Sequence, residues 1–110
     1  MIKNNEIIRV WKGWTTKENA LAYEEFLEKE VFPDVIKKGV KGLKKVGIAT
    51  FDLEDETEFF LTLHFESIEA VKTFAGEDYK TAYIPEKAKL LLSRYEKTAR
   101  HYIFKKELIL

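Results

Sequence analysis

The stretch Glu56-Thr57-Glu58-Phe59-Phe60-Leu61-Thr62-Leu63-His64-Phe65-Glu66 decides the fold. In an extended chain successive side chains point to opposite faces. Phe59, Leu61, Leu63 and Phe65 then share an all-apolar face, while Phe60, Thr62, His64 and Glu66 share a mixed one. The apolar face needs a core, and the mixed face, with its histidine, is the one to search for chemistry. Upstream, Leu43 to Asp52 has the same strand character, and the acidic turn Asp52-Leu53-Glu54-Asp55-Glu56 joins the two into a hairpin. The five carboxylates between Asp52 and Glu58 lack the glycine and the spacing of a calcium loop, so they read as a solvated turn.

Working outward, Glu6 to Trp14 is a first strand with Ile8, Val10 and Trp14 on one face and Ile7, Arg9 and Trp11 on the other. Large apolar groups on both faces call for cover on both sides. Thr15 with Glu18 three residues on has the form of a capping box, so a helix is expected to start there. Ala20, Tyr23, Leu27 and Val31, widened by Phe26, form its apolar stripe. Pro33 is expected to kink or split it near Phe32, and Gly39 to stop it. The run Lys37 to Lys45 has five lysines without interleaved arginines, which reads as a cationic helix end and not a nucleic-acid surface.

After the hairpin, Ser67 caps a short helix with Ile68, Val71 and Phe74 inward and Gly76 at its end. Pro85 suits the first turn of a further helix carrying Ala88, Leu91, Leu92 and Tyr95. From about Lys97 to Lys106, Ala99, His101 and Ile103 alternate with Arg100, Tyr102 and Phe104, a fourth strand. The order βαββαβ, with an extra helix before the last strand, describes an α+β, ferredoxin-like antiparallel sheet in a single domain over residues 1–110.

Composition agrees and excludes much. The 110 residues are 45% hydrophobic, include no cysteine, and balance 19 basic against 19 acidic side chains. Disorder, disulfide frames, thiolate catalysis and Cys-ligated zinc are excluded, and zero net charge gives no general attraction to phosphate backbones. The polar start Met1-Ile2-Lys3-Asn4-Asn5-Glu6 has no signal-peptide stretch, and no apolar run approaches the ~18 residues of a membrane span, so a cytoplasmic protein is expected.

Three polar residues invite a chemical reading: His64, His101 and Arg9. Two histidines without nearby carboxylates make no metal site, so each is either a satisfied structural group or a base. Arg9, on an otherwise apolar face, is expected to meet a carboxylate, a bound anion or a subunit boundary, an ion pair first among these. A pocket between sheet and helices, lined by Trp11, Phe60, Phe74, Tyr79 and Tyr83, competes with a solid aromatic core, because the 14% of aromatic residues fill a core of this size equally well.

The segments Arg9-Val10-Trp11-Lys12-Gly13-Trp14-Thr15-Thr16, Glu30-Val31-Phe32-Pro33, Phe65 to Gly76 and Arg100-His101-Tyr102 together resemble the antibiotic biosynthesis monooxygenase family across nearly the whole chain. The resemblance implies a ferredoxin-like unit that pairs into a dimeric α/β barrel, hence a homodimer, and a cofactor-independent monooxygenase acting on a small aromatic or polyketide-like molecule. On that reading His64 is the base, Arg9 holds the anion, Trp11 and Trp14 stack on the ring, and His101 is the substitute base. The haem-degrading branch of the family requires an asparagine on the first strand, a tryptophan in the second helix and a following histidine. Here the strand lacks the asparagine, Phe74 stands for the tryptophan and Tyr83 near the histidine's place, leaving tyrosine as the haem ligand to consider. The alternative to catalysis is a small-molecule-binding or structural homodimer.

Overall fold

The computed structural model describes residues 5–110; Met1 to Asn4 of the polar start lie outside them. Strand β1 (Glu6–Thr16) is the centre of the sheet, as its two apolar faces require. It pairs antiparallel with β3 (Glu56–Phe65) from Ile7 opposite Phe65 to Thr16 opposite Glu56, and β3 pairs in turn with β2 (Leu43–Asp52). The other edge of β1 is divided: β5 (Arg100–Phe104) runs beside Glu6 to Val10, and β4 (Leu92–Tyr95) beside Gly13 to Thr15. The result is the antiparallel α+β, ferredoxin-like arrangement expected from the element order.

The register sorts side chains onto two faces. Ile7, Arg9, Trp11 and Gly13 stand opposite Phe65, Leu63, Leu61 and Phe59; Ile8, Val10, Lys12 and Trp14 stand opposite His64, Thr62, Phe60 and Glu58. The first set carries the helices. Tyr23, Phe26, Leu27 and Phe32 pack with Phe59, Leu61, Ala88 and Leu92, and Ala70 and Val71 pack with Ile7 and Phe65. Each large side chain so buried contributes about 1.5–3 kcal/mol, so these two clusters tie both ends of the helical layer to the sheet. Tyr23 meets the Phe59 ring edge-on, with centroids 4.8 Å apart.

Helix α1 (Ala20–Phe26) continues through a π turn (Leu27–Val31) into α2 (Phe32–Lys37). Proline was expected to kink or split the helix near Phe32, and the wider turn is how the chain accommodates it. The Phe32 amide bonds back five residues to the Leu27 carbonyl, moving the preceding turn away from a Pro33 ring that has no N–H to donate. Helices α3 (Ile68–Ala75) and α4 (Glu86–Leu91) complete the layer. Ser67 Oγ accepts from the Ala70 amide, and Gly76, at φ +88°, ends α3 in a conformation that favours glycine.

Three expectations need correction. The Thr15 and Glu18 capping box does not form: Thr15 lies in β1, fully buried opposite Thr57 and Leu92, and the helix starts at Ala20 after Asn19. Sheet pairing on both edges outweighs a single capping bond there. Leu92 and Tyr95 do not extend the helix, because Leu92–Tyr95 pairs with β1 as β4. The strand after it is therefore the fifth, and it is shorter than read, Arg100–Phe104. No helix among the described residues is long and apolar enough to cross a membrane.

Candidate functional site

Between the sheet and the layer of α1, the π turn, α2 and α3 lies a cavity of about 320 Å³. Trp11, Leu61 and Leu63 form its floor, Leu27 and Val31 of the π turn one wall, Phe74 another, and Tyr83 and Ile84 its rim. The π turn places Leu27 and Val31 on the cavity, a common position for such turns at functional sites. Gly13 keeps the floor in place: a Cβ there would come within 2.5 Å of the Trp11 ring. The indole N–H of Trp11 donates to the Glu96 carbonyl at 2.7 Å, which fixes the ring's tilt.

Arg9 is the polar centre of the wall. It is only 8% exposed, and no carboxylate among the described residues pairs with it, so the ion pair expected from sequence is absent. Its Nη1 donates to the Tyr79 carbonyl and to His101 Nε2 at 3.0 Å, and its Nη2 donates to the Thr81 carbonyl at 3.4 Å. The guanidinium thereby fastens the segment between α3 and α4, which also bridges to Lys97 and Ala99 through backbone bonds at Ala82 and Lys80. Phe74 receives two cations, Arg9 at 5.9 Å and Lys38 at 4.9 Å from the ring centre. Burial lowers the Arg9 pKa, and burial followed by the nearby Arg9 and Lys80 charges lowers that of His101 to about 4. Because arginine only donates, His101 Nε2 is the acceptor, and the proton of its neutral ring belongs on Nδ1.

The residues singled out by sequence divide between the two faces. Arg9, Trp11, Phe74 and Tyr83 line the cavity, Tyr83 at the rim with 85% exposure. His101 stands behind Arg9, its ring edge-on to Tyr79 at 5.1 Å, and both face a separate open groove of about 670 Å³ along β5 and the start of α3. His64, Phe60 and Trp14 lie on the opposite face of the sheet. Trp14 there donates to Glu58 and carries the Arg94 guanidinium 4.1 Å above its ring. Arg9 and His64 therefore do not share a cavity, whereas Arg9 and His101 touch. Burial, then the Lys45 charge, lowers the His64 pKa.

Two cavity residues escaped the sequence reading. Lys38 read as one of a solvated run, yet it stands on the cavity wall beside Phe74. Tyr23 read as core stripe, and it is 2% exposed, yet it also lines the cavity; burial pushes its phenol pKa up. The proline inside the helical stripe was the available signal for both, since it opens the turn between them. No group of three or more metal-ligating side chains occurs among the described residues.

No protein-family model matches the chain, and no curated protein matches it by sequence. Among solved structures it is similar to that of a candidate antibiotic biosynthesis monooxygenase from Bacillus cereus, with a TM-score of 0.63 and 12% identity, covering 97% of this chain and 100% of that one. At 12% identity this likeness shows a shared α+β fold.

Proposed function

We propose that the chain is a cofactor-independent monooxygenase that holds a small, electron-rich aromatic molecule in the cavity between sheet and helices. The observation that carries this is the cavity's composition: aromatic and aliphatic walls, two cations in Arg9 and Lys38, and no carboxylate among its lining residues. Such a site favours the anionic form of a phenol or enol and lowers its pKa. An enolate donates electrons to dioxygen where the neutral molecule does not. The balanced change is a CH2 group and O2 becoming a carbonyl and water, with the substrate supplying all the electrons.

Arg9 stabilises the anion, and Trp11 and Phe74 contact the ring. His64 takes no part in this cavity's proton transfer, being on the other face of the sheet. His101 is a poor base, since its accepting nitrogen is engaged by Arg9. A second reading, binding without catalysis, draws on that same lack of an unengaged histidine. The uncovered face of the sheet, with Ile8, Trp14, Phe60 and Tyr102, is proposed to pair with a second copy of the chain.

Oxygen uptake by metal-free protein across a panel of anthrones, hydroquinones and quinols is the test. Uptake above the buffer rate that falls at least tenfold in Arg9→Gln supports the oxygenase. Saturable binding without uptake assigns the binding module. The protein is expected to be colourless; a Soret band lost on Tyr83→Phe would place haem at the rim instead.

A further inference from the structure

Residues 76–85, between α3 and α4, form a strap along the rim of the cavity. Thr81 to Pro85 line it in succession. No residue of the strap is fully buried, so it has no core of its own and belongs to the part of the fold that opens most easily. Tyr79 and Ile84 lean on the two apolar clusters, the Ala82 amide donates to the Lys97 carbonyl, and the Lys80 carbonyl accepts from the Ala99 amide. The side chain that grips the strap's backbone is Arg9, through the Tyr79 and Thr81 carbonyls. At the strap's start Gly76 has φ +88° and open space where a Cβ would stand, so the chain can turn there without meeting a neighbour.

Arg9's grip depends on His101. The His101 Nε2 accepts from the same Nη1 that holds the Tyr79 carbonyl, and its ring lies edge-on to the Tyr79 ring. We propose that the strap is a pH-gated lid: Arg9 latches it over the cavity while His101 is neutral, and a proton on His101 releases the latch and opens the cavity. An imidazolium offers no acceptor and sets a second positive charge against the guanidinium. The His101 backbone is held in β5 by its pairing with β1, so the Arg9 side chain and the strap are the parts that give way. The ring faces Arg9 from β1 and Lys80 and Tyr79 from the strap, with Lys72 of α3 over the Tyr79 ring; on the groove side stand Arg100 of β5 and Glu69 of α3, the one acid lining that groove. Burial, then the Arg9 and Lys80 charges, lowers the His101 pKa to about 4, so the lid is shut near neutral pH and opens in acid. This rests on the cavity being the ligand site, and it adds control of access to that site.

Two measurements on the whole chain test it between pH 7 and pH 4. In ligand-free protein, nuclear magnetic resonance follows the His101 ring, the strap amides from Tyr79 to Ile84, and the amides of Phe59 and Leu61 as a check that the core stays folded. The strap amides are expected to change with the same midpoint as the ring while the core amides hold still. In stopped flow, dissociation of 2-naphthol, uncharged over this range, is expected to quicken by about tenfold or more at pH 4 in the parent and by less than about twofold in His101→Gln, whose amide oxygen still accepts from Arg9 and does not titrate. A ring that titrates while the strap amides stay unmoved has swung into the groove by itself, and overturns the lid. Equal acceleration in His101→Gln overturns it too, by placing the pH response elsewhere. Release of 2-naphthol that is independent of pH overturns the lid and leaves the cavity as the ligand site. No binding of 2-naphthol or of the oxygen-uptake panel at either pH overturns the cavity reading and the lid with it. The coincidence of midpoints is read on the unaltered protein, so it decides the matter even where His101→Gln fails to fold.

Discussion

Arg9 Nη1 and His101 Nε2 lie 3.0 Å apart across the β1 and β5 pairing, a cation donating to a neutral imidazole. The contact exists only while His101 is unprotonated, since an imidazolium has no acceptor to offer and repels the guanidinium.

The pH dependence follows with a definite sign. The His101 pKa falls from 6.5 to about 4 on folding, so the unfolded chain binds the extra proton first. Stability from this contact is complete above about pH 6.5 and declines as pH falls toward about 4. His64 shifts in the same direction, so the informative quantity is the difference. Thermal melts from pH 7.5 to 4.5 are expected to show a shallower acid decline in His101→Gln, whose amide oxygen still accepts from Arg9. Identical slopes would mean that the contact does not control the transition.

Gly13 sits where β1 crosses beneath the Trp11 ring, with a Cβ position only 2.5 Å from the ring and 3.0 Å from Leu92. Gly13→Ala is expected to destabilise the protein by about 1–3 kcal/mol, as overpacking does, and to weaken ligand binding by tilting the cavity floor. Urea denaturation and calorimetry measure the two effects separately.

The Thr15 hydroxyl is completely buried and has no hydrogen-bond partner among the described residues. Thr15→Val keeps the shape and removes the unsatisfied group, so it is expected to stabilise the fold by about 1 kcal/mol. A loss of stability would reveal an ordered water at that hydroxyl.

The uncovered sheet face makes the association prediction. Light scattering at micromolar concentration is expected to give twice the chain mass of 12.9 kDa, and Phe60→Glu, on the centre of that face, is expected to give a monomer that keeps its far-ultraviolet circular dichroism. A monomeric parent protein would remove the dimer from the account.

What the sequence determined by itself is the alternation and the punctuation. The hairpin follows from period-two patterning around an acidic turn, read over Leu43 to Asp52 and Glu56 to Glu66 and formed over Leu43–Asp52 and Glu56–Phe65, and the Ser67 cap and Gly76 stop follow from local hydrogen bonding and φ. The sorting of β1 into an Arg9 and Trp11 face and an Ile8 and Trp14 face was equally legible, because it depends only on the pleat. The tertiary structure decided which strands adjoin and so which histidine Arg9 meets. Alternation places His64 on one face of its own strand without stating how that face aligns with β1; the register aligns it with Ile8, away from Arg9, and brings His101 across from β5. Local signals also lost where packing was stronger: the Thr15 capping box gave way to pairing on both edges of β1, and Leu92 left its helical stripe for β4. Lys38 and Tyr23 became cavity residues through the π turn around Pro33, a backbone adjustment whose effect on side-chain direction no apolar stripe encodes.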